Sequence, residues 1–383
     1  MFRPVLAACL LMLCEPAAAQ NPLRVVPGWG VDTTAAGVAW SDVARARDVR
    51  DIYRRWAEYL HSNPRMQRTT SLWSAAEQRM WPHYDLTASI AYQGSSATVL
   101  DIRPAPEEPD TWIVKTLFAS TVGPAHDVKP IALTRVYAIR EAGAWVFSNA
   151  LPRLTREWRR EVVGPITYVL EPGYPFDRTR AENAVQWADS VAVAFGVGPL
   201  DELTYYLTGS PETVYRIIGV DWGPGGTSYG YASYGNRLIF SGVPAAGEDY
   251  RHELAHFVLG PLQADGRTHR IVSEGVATWL GGSMGRDFDA LLAEYATYLR
   301  VHPDVTLDTV LEPEGPDRGT RPAGAVLAVM AFERGGIEAV KMLLASGRTD
   351  AELRSALEDI LRAEWPEVVA RWRARAMTAG GQR

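Results

Sequence analysis

Cysteine is all but missing from this chain. Of 383 residues, only Cys9 and Cys14 carry a thiol. Both sit in a leading segment built like a secretory signal: Arg3, an apolar run from Val5 to Cys14, then Ala17-Ala18-Ala19 before Gln20. With residues 1–19 removed, the chain would hold no cysteine, which excludes disulfide staples and thiol catalysis. Leu6-Ala7-Ala8-Cys9 has the look of a lipobox, but too few residues precede it to form an apolar stretch, so lipid anchoring is not expected. Long hydrophobic runs are missing beyond the signal, and no later segment has the length to span a bilayer. These features predict a secreted or periplasmic protein without a transmembrane segment after signal cleavage.

An excess of positive charge is also absent. Lys and Arg total 39 against 45 Asp and Glu, and losing Arg3 and Glu15 with the signal takes one from each sum, leaving the net charge at -6. That balance argues against nucleic acid as a partner. The cluster of Arg153, Arg156, Arg159 and Arg160 is expected to be a solvated helical face, since no wider basic stripe accompanies it. Internal repeats and low-complexity tracts are missing too. What the chain has is core material, with 47% hydrophobic residues and 13 tryptophans, enough for two domains.

Residues 41–62 have helical periodicity, with Val43, Ile52, Trp56, Tyr59 and Leu60 on one stripe and Asn63-Pro64 as the stop. A second helix is expected over 70–80, then strands over 85–92, 97–102, 111–120, 132–140 and 144–150, with Glu141-Ala142-Gly143 as a hairpin turn. His83 and Asp85 are expected at the surface or in turns. This order resembles the nuclear transport factor two-like cone over about residues 40–152, a fold that hosts many functions and so implies none. Residues 152–165 look like a joint between domains. Beyond it, strands are expected at 166–170 and 203–208, helices at 178–195 and 211–218, and a hairpin from 227–232 and 236–241 turning at Tyr234-Gly235. From 287 onward the pattern is helical, punctuated by Gly335-Gly336, Ser346-Gly347 and Trp365-Pro366 into three or four helices. The expected fold class is α+β: N-terminal helices with a curved antiparallel sheet in an accessory domain over 20–160, then a domain over 161–383 that ends in a helical bundle.

The chemistry centres on His252-Glu253-Leu254-Ala255-His256. On a helix, side chains at i and i+4 share a face, so both imidazoles can reach one metal ion while Glu253 is placed to act on a water beside it. Eighteen positions after His256, Ser273-Glu274-Gly275-Val276-Ala277 supplies a third candidate ligand, Glu274. Gly275 and Ala277 are small enough to let that helix approach the first. A catalytic zinc takes three protein ligands and keeps a fourth position open, which a His, His, Glu set satisfies. The competing reading is an ordinary amphipathic helix with Leu254, Ala255 and Phe257 toward the core.

The pair of motifs resembles the gluzincin metallopeptidases, including the peptidase-MA-like branch, over about residues 163–383. The resemblance implies Zn2+ as cofactor, His252, His256 and Glu274 as its ligands, and Glu253 as general base toward a zinc-bound water that attacks a peptide carbonyl. It also implies that one strand of the hairpin before the motif walls the cleft and pairs with an extended peptide. Which strand is the edge stays open. Gluzincin aminopeptidases place an oxyanion-stabilising tyrosine three residues before a glycine that opens an apolar helix. Here Arg321-Pro322-Ala323-Gly324 occupies that stretch, so Arg321 is the candidate donor in its place, and the alternative is an arginine facing solvent before a proline-initiated helix. His269, Tyr295 and Tyr298 are the other candidates. Thr278 is expected either to hydrogen-bond a ligand imidazole or to be a helix-capping or surface threonine, and His269 to cap the second helix, line the cleft or be exposed. Gly281-Gly282-Ser283-Met284-Gly285 matches a serine-hydrolase elbow, but a helix precedes it where a strand is required, so Ser283 is not expected to be a nucleophile.

The function these residues predict is secreted zinc-dependent hydrolysis of peptide or protein substrates. The alternative is a weak or inactive zinc-binding pseudo-peptidase that serves as a binding or scaffold protein of the envelope.

Overall fold

The computed structural model describes residues 23–24, 43–62, 70–88, 96–106, 108, 110–122, 127–223, 230–263, 268–312 and 318–378. The expected signal, residues 1–19, lies outside them. The fold is α+β, and the chain divides into two compact units. The first draws on Met1–Arg79, Asp85–Ala150 and Gly219–Pro224, and the second on Met80–Tyr84, Leu151–Ile218 and Gly225–Arg383.

In the first unit, helix α1 (Val43–His61) buries Ile52, Trp56, Tyr59 and Leu60 of the stripe its periodicity predicts, together with Val49. That stripe meets a sheet ordered β1 (Leu23–Arg24), β2 (Ser96–Pro104), β3 (Trp112–Val122), β4 (Asp127–Glu141), β5 (Ala144–Ser148), with β9 (Val220–Trp222) also paired to β4. All these pairings are antiparallel except β1 with β2. The Trp56 ring lies 4.7 Å from that of Phe147, and its Nε1 donates to Thr116 Oγ1 at 2.8 Å, so the buried indole keeps a polar partner. The β4–β5 turn holds Ala142 and Gly143 at φ of 48° and 81°, as a tight hairpin requires.

Two expectations are corrected in this unit. Helix α2 is shorter than predicted (Ala75–Met80), because the Gln78 amide donates to the carbonyls of Thr70 and Trp73 and holds that stretch as a turn. No strand starts at 85 among residues 85–88, and of the two alternatives for Asp85 the turn holds, with the side chain buried: its carboxylate accepts from Tyr59 Oη at 3.0 Å and from the backbone and hydroxyl of Thr87. Glu77 is buried as well, and accepts from Ser148 Oγ and from the backbone and side chain of Asn149.

The second unit is built on a mixed sheet ordered β10 (Gly230–Ser233), β11 (Leu238–Ser241), β8 (Leu203–Leu207), β7 (Ile166–Leu170), β6 (Arg159–Val163). The inner pairs β11–β8 and β8–β7 are parallel, and the outer pairs are antiparallel. The Arg153 to Arg160 cluster is therefore not one helical face. Helix α3 spans only Leu151–Leu154, and Arg159 and Arg160 open the edge strand β6, so the expected joint carries secondary structure of its own.

Helix α4 (Arg178–Phe195) starts where the Asp177 carboxylate accepts from Arg180 N and stops at left-handed Gly196. Helix α5 (Pro211–Ile218) has proline at its first position. Then come α6 (Arg251–Leu259), α7 (Arg270–Gly281), α8 (Phe288–Val301), α9 (Leu307–Leu311), α10 (Thr320–Leu344), α11 (Asp350–Leu361) and α12 (Trp365–Thr378). The described residues after 287 thus form more helices than the three or four expected, and Gly335-Gly336, with non-helical backbone at both positions, breaks α10 into two helical segments at the punctuation the sequence predicts. No helix among the described residues is long and apolar enough to cross a membrane.

Candidate metal centre

Helix α6 carries the histidine pair, and it is not amphipathic. Seven of its nine residues are buried, including His252, Glu253 and His256. A solvated polar face is therefore excluded, and three ionisable groups lie where water does not satisfy them. Buried groups of this kind need paired charges or a metal.

Helix α7 supplies the partner. Glu274 directs its carboxylate at both imidazoles, with Oε2 at 3.4 Å from His252 Nε2 and Oε1 at 3.9 Å from His256 Nε2. One ligand atom from each of the three residues lies within 4.8 Å of the others.

The far nitrogens are tied back. His252 Nδ1 lies 3.0 Å from the carbonyl oxygen of Gly282, which only accepts, so the proton is on Nδ1. His256 Nδ1 lies 3.3 Å from Ser273 Oγ, whose own proton goes to Gln263 Oε1 at 3.1 Å. The hydroxyl donates once, so it accepts from His256 Nδ1. With Nδ1 so engaged, each ring turns its Nε2 toward Glu274, the orientation that metal-ligating histidines adopt. Two imidazoles and a carboxylate, converging with their outer atoms satisfied, fit a zinc-type ion.

Burial, and then the neighbouring His252, hold the His256 pKa down to about 3, so its imidazole is neutral well below pH 7. Burial raises Glu253, opposed by His252, with Glu274 raising it further. For Glu274, burial would also raise the value, but the hydrogen bond from His252 and the charges of His256, His252 and Arg321 outweigh it and hold the group well below the usual carboxylate range. Tyr250, whose ring lies 6.1 Å from that of His252, is pushed up to about 12 by burial and then by Glu253.

Arg321 reaches the site. It sits at the start of α10, and its Nε donates to Glu274 Oε2 at 2.8 Å. Two glycines make this contact: α7 and α10 cross at Gly275 and Gly324, where a Cβ on either would overlap the backbone of the other helix. Glu274 precedes the first glycine by one residue and Arg321 precedes the second by one turn, so the crossing brings the two charges together.

The walls come from the hairpin. Strand β10 is the edge of its sheet, and the short helical turn Tyr234–Asn236 joins it to β11. Tyr229, expected at the start of that strand, lies outside the described residues. The half-exposed Tyr234 ring lies 5.4 Å from the His256 ring and 5.2 Å from Phe257. The turn is clamped by His83, whose backbone N donates to Asn236 Oδ1 and whose carbonyl accepts from Asn236 Nδ2, both at 2.8 Å.

Other candidate residues are engaged elsewhere. Thr278 donates to the carbonyl of Glu274 in its own helix, so it does not reach an imidazole. His269 caps α7 by accepting from Ile271 N, and its Nε2 pairs with Asp350. Tyr295 is buried among Tyr298 and Trp372 in the helical part of the unit. Ser283 follows a helix and sits in a tight turn closed on Arg286, without the strand that a nucleophile elbow needs. Ser273, Gln263 and Gly282 are the site residues that sequence reasoning missed. The only signal for Ser273 was its place beside Glu274.

No protein-family model matches the chain, and no curated protein matches it. Among solved structures it is similar, over 73% of its length, to a mutant M1 zinc metallopeptidase from Deinococcus radiodurans bound to a Tyr-Ser-Ala substrate, at 16% identity and a TM-score of 0.36, covering 61% of that chain. It is also similar to a two-domain M1 zinc metallopeptidase mutant bound to L-tryptophan, at 15% identity and a TM-score of 0.35, over 73% of this chain and 63% of that one. An M1 zinc metallopeptidase from Deinococcus radiodurans matches over 76% of this chain and 64% of its own, at 14% identity and a TM-score of 0.33. The chain thus spans less than two thirds of the length of each.

Proposed function

We propose that the second unit is a zinc-dependent peptidase, that the first unit is its accessory domain, and that the protein is secreted or periplasmic with residues 1–19 as its signal. The observation that carries this reading is the convergence of His252 Nε2, His256 Nε2 and the Glu274 carboxylate, with both Nδ1 atoms tied back to protein acceptors. When bound there, Zn2+ would lower the pKa of a coordinated water toward neutrality and polarise a substrate carbonyl.

The chain's own residues do the rest. His252, His256 and Glu274 hold the ion. Glu253, whose value burial raises, takes the proton of the attacking water and returns it to the leaving amine. Arg321 bonds Glu274 through Nε, which leaves its η nitrogens to donate to the oxyanion. Edge strand β10 lies at the sheet border where an extended peptide would add, with Tyr234 as an aromatic wall.

One observation favours a second reading. Arg321 is committed to Glu274, and an arginine so held that fails to reach the substrate leaves a zinc-binding pseudo-peptidase that acts as an envelope binding or scaffold protein. Peptide-library cleavage by the zinc-loaded protein and by Glu253→Ala separates the two. Cleavage lost in the variant supports the peptidase. No cleavage by the loaded wild type, or equal cleavage by the variant, rejects it.

A further inference from the structure

We infer that Arg321 is a positioning residue for the metal centre: its guanidinium fixes the Glu274 carboxylate in the orientation that faces both imidazoles. This rests on the metal-binding reading above and goes beyond it, because Arg321 is there a donor to substrate and here acts on a ligand.

The need for such a partner follows from the length of the glutamate side chain. Three rotatable bonds separate the Glu274 carboxylate from its backbone, and its side chain is about a quarter exposed at 24%, so packing alone does not immobilise it. His252 and His256 are locked through Nδ1 by Gly282 and Ser273. Glu274 takes its lock from Arg321: Nε donates to Oε2 at 2.8 Å, a charge-assisted bond of good length. The second carboxylate oxygen, Oε1, faces His256 Nε2.

The anchor is itself rigid. Arg321 lies in the first turn of α10, one turn before Gly324, and α10 cannot slide on α7 because the two glycines meet backbone to backbone. The bond therefore joins two helices at fixed separation. Each of the three ligands then has one outer partner: a helix C-terminal carbonyl, a serine hydroxyl and an arginine.

Titration of the full-length, metal-free protein with Co2+ against a competing chelator tests this. Arg321→Ala should weaken Co2+ binding about 10- to 100-fold, the cost typical of losing an outer partner of a ligand. Arg321→Lys, which keeps a cationic donor, should recover most of that loss, whereas a merely structural role at the helix start would show no such rescue. Arg321→Gln, close in size and uncharged, gives the same readout if the alanine variant does not fold, and should bind as weakly. Co2+ affinity in Arg321→Ala or Arg321→Gln equal to or tighter than wild type overturns the inference. His256→Ala is the separate control: if it binds Co2+ as the wild type does, or the wild type binds none, the metal reading itself fails.

Discussion

Gly275 and Gly324 meet where α7 crosses α10, and neither position has room for a Cβ. Glu274 and Arg321 face one another because of this contact, so the helix crossing and the candidate metal centre depend on the same pair of glycines.

Gly324→Ala would drive a methyl group into the carbonyl of Ile271. The expected cost is about 1–3 kcal/mol or more, since backbone atoms cannot yield as side chains do. Chemical denaturation measures it, and wild-type stability would show that the helices are not in contact there.

Ser273→Ala should weaken zinc binding about 10- to 100-fold, because it removes the group that accepts from His256 Nδ1. Competition with a chelator gives the constant. An affinity within twofold of wild type would mean that Ser273 does not orient the ring.

Glu253→Gln should keep zinc at wild-type stoichiometry and lose peptide hydrolysis by about 10²- to 10⁴-fold, the range for removal of a general base. Metal analysis and steady-state assay on the same preparation decide it, and lost zinc would place Glu253 among the ligands instead.

Acid should destabilise the metal-free protein, and His256 should be a cause. Folded, it takes a proton only near pH 3, whereas the unfolded value is 6.5. As pH falls through about 6.5 the unfolded chain gains a proton that the folded chain refuses, so stability drops with falling pH down to about 3. Glu274, depressed, contributes stability that is likewise lost below its ordinary 4.5. Glu253, raised, works the other way: it favours the folded state at low pH and loses that contribution as pH rises through its folded pKa. Melting temperatures at pH 7 and pH 5 should fall less in His256→Gln than in wild type, and equal slopes would remove His256 from the account.

In the first unit, Glu77→Ala should cost about 1.5–3 kcal/mol for each buried charge-assisted hydrogen bond left unmade. Ser148 and both donors of Asn149 lose their acceptor. Urea unfolding is the measurement, and a change below about 1 kcal/mol would show that water replaces the carboxylate.

The sequence made the ligand set legible because the requirement is local. Helical spacing places His252 and His256 on one face, and the small residues after Glu274 announce a close helix. The outer partners were not legible. Gly282 and Gln263 reach the histidines only through the ends of α6 and α7, and Thr278, which looked suited to the task, satisfies its hydroxyl within its own helix. Helices α4 and α5 match their predicted spans, each marked by a capping or proline signal at the start and glycine at the end. Strand β6 was misread as part of a joint because an edge strand rich in Arg and Glu lacks the apolar alternation that identifies a strand. The burial of Asp85 was not legible from its residue type, because the three hydrogen bonds that satisfy its carboxylate come from Tyr59 and Thr87.

The clamp between His83 and Asn236 joins positions 153 residues apart. The segment Met80–Tyr84 belongs to the second unit although the chain then enters the first, so the two units are interleaved in sequence. Dissection at the boundary after Ala150 would leave Asn236 without its backbone partner and Gly235 without the imidazole that covers it. A fragment beginning at Leu151 would keep all three candidate ligands and lose the support of the turn that carries Tyr234. Its shortfall would appear first in peptide recognition, while metal binding stayed intact.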